Sequence, residues 1–208
     1  MERLDRKGRE HLAHRKEILW AAEKLFAAKG FFPTTMSEIA QKAEFGTGTL
    51  YKYFKSKEDL YFTLIDEKTE KVNQLVKAEL SQKNPALERI ERALRLQFEF
   101  IEKNRDFFRI YISERNRFEW TVKDDLGKGI HEKMVAYIDL LAGVMRQGIK
   151  EGVFKSKDPV DLAHALMGIT NSFVFEWLIA PRPYPLISKI DTVLDIFLRG
   201  AQQTERRR

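Results

Sequence analysis

The chain of 208 residues contains no cysteine. It therefore forms no disulfide and no thiolate metal site, and core packing alone has to stabilise its fold. The four histidines, His11, His14, His131 and His164, are scattered without the spacing of a ligand set. We expect no bound metal and no cofactor.

Long apolar runs are also missing. The first sixteen residues are too charged for the apolar region of a secretory signal. No uninterrupted apolar run reaches the roughly 18 residues that a membrane-spanning helix needs. We expect a cytoplasmic protein without a membrane partner.

Sustained alternation of polar and apolar residues, the signature of half-buried strands, is absent as well. Apolar residues instead recur at helical spacing through nearly the whole chain. With 43% apolar and 33% charged residues, the composition is that of a globular protein. The sequence predicts an all-α fold of about nine helices, with a small N-terminal head and a larger body.

Sequence motifs of catalysis are lacking. Residues 46–49, Gly-Thr-Gly-Thr, superficially resemble a nucleotide-binding loop, but no third glycine and no P-loop lysine follow in register. Gly-X-Ser-X-Gly and His-Glu-X-X-His do not occur. We do not expect an enzyme.

Positive charge is concentrated near the N-terminus. Through Lys57 the chain has twelve Lys and Arg residues against seven Asp and Glu, which accounts for +5 of the net charge of +6. A polyanionic partner would explain this excess, and so would a solubilising basic face. Arg206–Arg208 form a second basic cluster at the C-terminus.

Local signals divide this basic region into short helices. A first helix ends at Lys29-Gly30, and Thr35 with Glu38 fits a capping box that starts a second. A turn at residues 44–46 leads to a short helical stretch from Thr47 to Phe54. Ser56 then caps a long helix that begins at Lys57. Two short helices joined by a tight turn are typical of a helix-turn-helix.

Residues 34–60 resemble the signature of the TetR family of transcriptional regulators. The family pattern is a Thr-Thr-X3-Ile-Ala run, a turn, and then Gly-Thr-Leu-Tyr-X-Tyr-Phe-X-Ser-Lys-Glu-X-Leu. The matching residues are Thr34, Thr35, Ile39, Ala40, Gly48, Thr49, Leu50, Tyr51, Tyr53, Phe54, Ser56, Lys57, Glu58 and Leu60. The resemblance implies a homodimeric, DNA-binding regulator that responds to a small molecule.

The resemblance also implies which residues meet double-stranded DNA. Thr35 and its amide, Tyr51 and Lys57 would bind phosphates, and the groove would be faced by Thr47, Gly48, Thr49, Lys52 and Tyr53. Leu50 and Phe54 point the other way and belong in the head core with Ile39 and Leu25. Arg15 or another base of the N-terminal arm would reach DNA, or the arm would be disordered and solvated.

Two positions depart from the family pattern. Glu44 stands in the turn where glycine is common, and a left-handed backbone there would cost on the order of 1 kcal/mol. Gly46 stands where a Ser or Thr often caps the recognition helix, at a cost of a few tenths of a kcal/mol.

The domain division follows from the same resemblance. Residues 1–57 would form the DNA-binding domain, with an arm to about residue 12, and residues 58–208 the ligand-binding and dimerisation domain. The long helix from Lys57 would link them. The last two helices, about residues 158–180 and 186–201, would pair with their symmetry mates in the homodimer.

The body should hold an effector cavity lined by aromatic and flexible residues. The candidates are Gln97, Phe98, Phe108, Tyr111, Trp120, Met134, Tyr137, Met145, Asn171, Phe173 and Trp177, with His164 as a further polar anchor. Any single aromatic residue among them belongs to the plain core more often than to a ligand site. The abundance of Phe, Met and Trp favours an apolar or aromatic effector.

The functional expectation is therefore a repressor that a small effector releases from a palindromic operator. Activation and effector-assisted binding remain open. The alternative is a ligand-independent DNA-organising or protein-interaction module on the same scaffold. A filled body core would favour that alternative, and an enclosed cavity of ligand size would favour the sensor.

Overall fold

The structure, a computed structural model, describes residues 5–115, 125–180 and 183–201. This described part contains nine α-helices, one 3-10 turn at Leu186–Lys189 and no strand, which confirms the predicted all-α fold. The helices are α1 (Arg6–Lys29), α2 (Met36–Lys42), α3 (Thr47–Tyr53), α4 (Lys57–Leu80), α5 (Ala86–Lys103), α6 (Arg105–Arg115), α7 (Asp125–Lys150), α8 (Pro159–Ile179) and α9 (Ile190–Ala201).

The helix α1 begins much earlier than expected. Asp5 caps it by accepting a hydrogen bond from the Gly8 amide at 2.7 Å. The predicted arm to about residue 12 is therefore helical from Arg6 onward, which contradicts the alternative of a disordered arm for these residues. At the other end Gly30 has a positive φ of 86° and its amide donates to the Phe26 carbonyl, as the Lys29-Gly30 stop signal predicted.

The start of α2 confirms the predicted capping box. The Glu38 amide donates to Thr35 Oγ1 at 3.3 Å, and the Thr35 amide donates to Glu38 Oε2 at 2.8 Å. Hydrogen bonds from Lys29 and then Thr35 lower the pKa of Glu38 to about 2. The carboxylate that completes the box is therefore ionised at neutral and mildly acidic pH.

Packing divides the described residues into two compact units, and the first consists of residues 5–69 and 106–115. Its core includes Phe26, Phe31 and Tyr61, whose ring centroids lie 4.9–5.7 Å apart. Ile39, Leu50 and Phe54 are buried as predicted, whereas Leu25 is only half-buried. This compact unit extends beyond residue 57, the predicted end of the DNA-binding domain. The division of the chain into a DNA-binding and a ligand-binding domain stays a prediction.

The second unit consists of residues 70–105, 125–180 and 183–201. Within its described part α7 packs along α8, and α8 also packs against α9. Asp158 caps α8 by accepting from the Val160 amide at 2.7 Å, with Pro159 in the first turn. Pro85 occupies the N-cap of α5, and the helix proper begins at Ala86.

Glu44, the turn residue between α2 and α3, has a positive φ of 60°. An L side chain at such a φ is strained, so we expect Glu44→Gly to raise the free energy of unfolding by about 1 kcal/mol. Urea unfolding followed by circular dichroism measures this. Glu44→Ala is the matched control, because it removes the carboxylate and keeps the strain. Equal stabilisation by both variants would show that the charge of Glu44, and not its backbone, is the cause.

Candidate nucleic-acid interface

The helix α3 has one buried and one exposed face. Leu50 is fully buried, whereas Gly48, Tyr51 and Lys52 are exposed, with 54% of Tyr51 accessible. Thr47 and Thr49 are partly exposed. Small polar side chains on an exposed helix face are what base edges in a major groove accept. The groove-facing residues predicted from the sequence thus lie on one short helix, and all of them are at least partly accessible.

Tyr53, at the end of α3, lies against α1. Its hydroxyl is 3.2 Å from His14 Nδ1, and its ring centroid is 4.5 Å from that of His11. The sequence alone did not point to either histidine, because His11 was assigned to an arm and both histidines were weighed only as metal ligands. Their spacing of three residues, read on a helix, would have placed both on one face.

An open groove of about 390 Å³ runs between the start of α2 and the segment joining α3 to α4. Phe32, Thr35 and Met36 line one side, and Tyr51, Lys55 and Ser56 line the other. Lys55 is exposed and brings a positive charge to this groove. Neither Lys55 nor Phe32 was among the predicted contacts, although a lysine flanking a recognition helix is a signal the sequence contains.

Thr35 lies in this groove, but its amide is already used. The amide donates to Glu38 Oε2, which leaves the amides of Met36 and Ser37 as the donors that this helix start offers to an anion. Those two amides belong to the first turn, where helical geometry offers them no carbonyl. The helix dipole favours an anion at the same place.

Lys57 has a different environment from the one predicted. Its Nζ donates to the carbonyls of Phe31, Phe32 and Thr34 at 2.9, 3.1 and 2.8 Å, and lies 4.3 Å from the centroid of the Phe31 ring. An ammonium has three protons, and these three carbonyls can take all of them. Lys57 thus ties the loop between α1 and α2 to the start of α4. Phosphate binding by Lys57 stays a prediction, and it would require breaking at least one of these three hydrogen bonds.

Arg15 is likewise held within the first unit. It forms an ion pair with Glu67 of α4 and lies 5.6 Å from the centroid of the Phe54 ring. In this arrangement Arg15 joins α1 to α4, whereas the sequence considered it as a contact for DNA.

In the second unit, a cavity of about 10 Å³ lies among the apolar side chains of α4, α5, α7 and α8. Its lining includes Leu80, Leu94, Tyr137, Leu141, Leu166 and Thr170. That volume is about the size of one water molecule. Burial raises the pKa of Tyr137 to about 12, so this phenol is neutral and available as a hydrogen-bond donor at physiological pH.

The other predicted pocket residues are dispersed. Phe98 and Met145 are fully buried, Trp177 is buried with its Nε1 donating to the Tyr184 carbonyl, and Gln97 and Phe173 are half-buried. Met134, Asn171 and His164 are exposed, and Phe108 packs within the first unit. Trp120 lies outside the described residues, and so does the side chain of Tyr111. Tyr137 is thus the member of the described set that lines the cavity.

Arg89 of α5 is a buried cation, and the residue that follows it in the sequence, Ile90, lines the cavity. Arg89 donates to the carbonyls of Leu80 and Gln82 at 2.6 and 3.1 Å, and to the side chain of Gln147. Gln147 in turn donates to Glu151, whose other oxygen accepts from the Ala86 amide at 3.0 Å. Arg89 therefore holds the last carbonyl of α4 within the network that joins α5 to α7.

The outward face of α8 carries an apolar stripe. Phe175 is 49% exposed and Ile179 56% exposed, and the residues one and two turns earlier, Gly168, Asn171 and Ser172, are small or uncharged. Ile196 of α9 is exposed as well. By length and composition, α8 is the one helix in the described segments that could cross a membrane. A helix of a globular protein is equally apolar when one of its faces packs on the core of its own chain and the other packs on a partner.

A capped helix, a tight turn and a second helix with an exposed polar face, within a positively charged segment, together define a DNA-binding regulator of the helix-turn-helix class. Two family models match the chain: the N-terminal model of the bacterial regulatory proteins of the tetR family matches residues 18–64, and the tetracyclin repressor-like C-terminal domain matches residues 83–181. The chain belongs to the TetR family of transcriptional regulators, and it is not an enzyme.

Relatives share the architecture over nearly the whole chain. The fatty acid metabolism regulator protein of Bacillus subtilis is 25% identical over 185 residues, covering 88% of this chain and 93% of its own length. The ketosteroid transcriptional regulator KstR2 of Mycobacterium tuberculosis is 25% identical with a TM-score of 0.73, covering 91% of this chain and 95% of its own. The structure of FadR from Bacillus subtilis in complex with stearoyl-CoA has a TM-score of 0.72 at 24% identity and covers 89% and 98%.

Lys57→Met tests whether this lysine holds the loop between α1 and α2. Methionine keeps the length of the side chain and leaves three carbonyls without their cationic donor, so the free energy of unfolding should fall by about 1–3 kcal/mol. Denaturant unfolding without DNA measures it, with Lys55→Met as the matched control for an exposed lysine. If stability is unchanged while DNA affinity drops, Lys57 serves DNA alone, as the sequence predicted.

Proposed function

We propose that this TetR-family regulator is a homodimeric repressor that reads a palindromic operator with α3 and is released by an effector with a large hydrocarbon part. The observation that carries the DNA-reading half is the exposed polar face of α3, next to a groove where a helix start, Tyr51 and Lys55 converge. Such a regulator works in the compartment that holds the DNA, which we take to be the cytoplasm.

The proposed contacts fall into two groups. Phosphates are held by the helix start at Thr35, by Tyr51 and by Lys55, with Lys57 supporting the loop behind them. Thr47, Gly48, Thr49, Lys52 and Tyr53 face the bases. Phosphate contacts fix the register of a protein on the duplex, and base contacts give the specificity.

We propose dimerisation through the outward faces of α8 and α9. Large apolar residues exposed along one helix stripe, as Phe175 and Ile179 are, mark a protein interface more often than a solvent face. A two-fold symmetric pair of such faces is self-complementary. Two-fold symmetry would also place two recognition helices roughly 34–36 Å apart, one turn of the double helix, as a palindromic operator requires.

The effector class follows from the lining of the cavity and from the relatives. Its walls are mostly aliphatic, with Tyr137 and Thr170 as polar groups. The relatives named above are regulators of fatty acid metabolism and of ketosteroids, and the Bacillus subtilis FadR structure contains stearoyl-CoA. We propose that the effector inserts an acyl chain or a steroid-like ring system between α5, α7 and α8.

A cavity of about 10 Å³ cannot hold such a group, so binding must move the helices that surround it. Leu80, the last residue of α4, is part of the lining. We propose that opening the cavity displaces this end of α4 and thereby changes the spacing of the two recognition helices. The effector shifts the equilibrium only by its preference for the open state over the closed one.

The small cavity also supports a second candidate. A ligand-independent DNA-organising or protein-interaction module would need no internal space, and the closed packing between α5, α7 and α8 fits that role. Effector titrations distinguish the two candidates.

Selection of duplexes from a random pool should yield a palindromic motif. Thr49→Ala should then change the preferred base at one position of each half-site, because Thr49 contacts a base edge. Lys55→Ala should weaken binding to all duplexes without changing the selected motif. The slope of log affinity against log salt concentration should become shallower by about the amount expected for one phosphate contact. An unchanged motif for Thr49→Ala, or a changed one for Lys55→Ala, would reverse these two roles.

Phe175→Lys should dissociate the proposed dimer, since it places a charge in the apolar stripe of α8. Sedimentation equilibrium should show a dimer for the wild-type chain and at least a tenfold higher dissociation constant for the variant, corresponding to about 1.4 kcal/mol. Val135→Lys, at an equally exposed apolar position of α7, is the matched control. A dimer that Phe175→Lys leaves intact lies on another surface.

Stearoyl-CoA is the probe for the effector. It should release the wild-type protein from its selected operator, whereas coenzyme A without the acyl chain should not. Ala93→Leu narrows the cavity and should raise the concentration needed for release by about tenfold while leaving operator affinity unchanged. Met134→Leu, at an exposed position, is the control. Release that is equally sensitive in Ala93→Leu would place the effector elsewhere, and no release by acyl or steroid probes would favour the ligand-independent module.

A further inference from the structure

We propose that His11 and His14 are positioning residues of the DNA-reading surface, which fix the ring and the hydroxyl of Tyr53 at the end of the recognition helix. The proposal rests on the proposed function, in which Tyr53 faces DNA. It assigns to the first turns of α1 a specific part in recognition.

Both histidines contact the same tyrosine in different ways. His14 Nδ1 is 3.2 Å from the Tyr53 hydroxyl oxygen, which is hydrogen-bonding distance. The His11 ring lies 4.5 Å from the Tyr53 ring, centroid to centroid, with 32° between the planes. One histidine therefore fixes the hydroxyl and the other limits the rotation of the ring.

His14 also contacts the turn that precedes α3. Its ring centroid lies 4.9 Å from that of Phe45, two residues before the first residue of the helix. A single side chain of α1 thus contacts the turn before α3 and the last residue of α3, a helix of only seven residues. A helix this short has little stability of its own, so such contacts help to decide where its exposed face points.

The placement of the histidines follows from the length of α1. Asp5 caps the helix and makes residues 6–14 continuous with the part that packs in the core. Residues three apart on a helix share a face, so His11 and His14 project together toward Tyr53. Had α1 begun at residue 13, His11 would lie outside the helix, and the two histidines would not share one of its faces.

The hydrogen bond to His14 also decides what Tyr53 can offer a base or a phosphate. With Nδ1 unprotonated, the hydroxyl donates to His14, and its oxygen is left as an acceptor. With Nδ1 protonated, the imidazole donates, and the hydroxyl proton is free for an acceptor on DNA. In both cases the tyrosine is oriented before DNA arrives, which lowers the entropic cost of binding.

Two substitutions of His14 separate the hydrogen bond from the packing. His14→Asn keeps a polar atom close to the position of Nδ1 and loses the ring, whereas His14→Phe keeps the ring against Phe45 and loses the hydrogen bond. Affinity is measured for the duplex that the wild-type protein selects from a random pool. We expect His14→Phe to bind about fivefold more weakly, and His14→Asn to stay within about twofold of wild type. The opposite order would mean that His14 acts by packing alone and would overturn the proposal.

A double-mutant cycle with Tyr53→Phe tests whether His14 acts through the tyrosine hydroxyl. In the Tyr53→Phe background, His14→Phe should cost less than about twofold, since the hydroxyl it would orient is gone. Additive losses would overturn the proposal. Leu12→Ala, at an exposed position on the same turn of α1, is the matched control and should bind like wild type.

The two levels of the proposal fail in different ways. If the wild-type chain selects no duplex, the proposed function fails before any variant is made. If it selects a duplex but the cycle is additive, DNA reading stands and the role of the histidines fails. Repeating the selection with His11→Ala adds a readout that structural damage alone would not give. Base preference should loosen at the position nearest Tyr53, and an unchanged motif would remove His11 from the proposal.

Discussion

The head of this protein depends on holding a two-turn helix in place through one buried face. Seven residues form too few hydrogen bonds for α3 to persist alone, and its stability comes from burying Leu50 together with the adjoining Phe54. That burial in turn requires the core made by α1, α2 and the first half of α4. Because the inner face supplies the stability, the outer face is free to carry threonines, a glycine and a lysine, which contribute little to folding. The separation of the two faces is what makes α3 usable for reading DNA.

Charged groups at the edges of this core act mainly on backbone. Glu38 closes the start of α2, Asp59 accepts from the Lys55 amide at the start of α4, and Lys57 holds the carbonyls of the preceding loop. Each satisfies polar backbone groups that helix ends leave unpaired. The loops around α3 are thus ordered by local ion and hydrogen-bond pairs as well as by the buried rings of Phe31 and Phe54. This arrangement leaves a groove at the surface where a phosphate backbone can approach.

Much of this organisation was predictable because it is encoded locally. The capping box at Thr35, the glycine stop at Gly30, the cap at Asp158 and the inward pair Leu50 and Phe54 all follow from short spacings in the sequence. The length of α1 was not predictable, since a highly charged segment gives no apolar stripe and its start depends on the cap by Asp5. The roles of Lys57 and Arg15 depend on partners 23 or more residues away, which no local pattern reveals. Of the residues that line the cavity only Tyr137 was predicted, because which side chains line a space depends on packing between helices and not on composition.

Hydrogen bonds from a cation to backbone carbonyls fix α4 at both ends. Lys57, the first residue of α4, donates hydrogen bonds to carbonyls of the loop before α2. Arg89 donates to the carbonyls of Leu80, the last residue of α4, and of Gln82, two residues later. Carbonyl oxygens are the same whatever side chain the residue bears. The positions that supply them can therefore vary with little effect on the anchoring, while the lysine and the arginine are hard to exchange. Residues around α4 could thus be substituted to suit new effectors while the hydrogen bonds from the lysine and the arginine that fix this helix are kept.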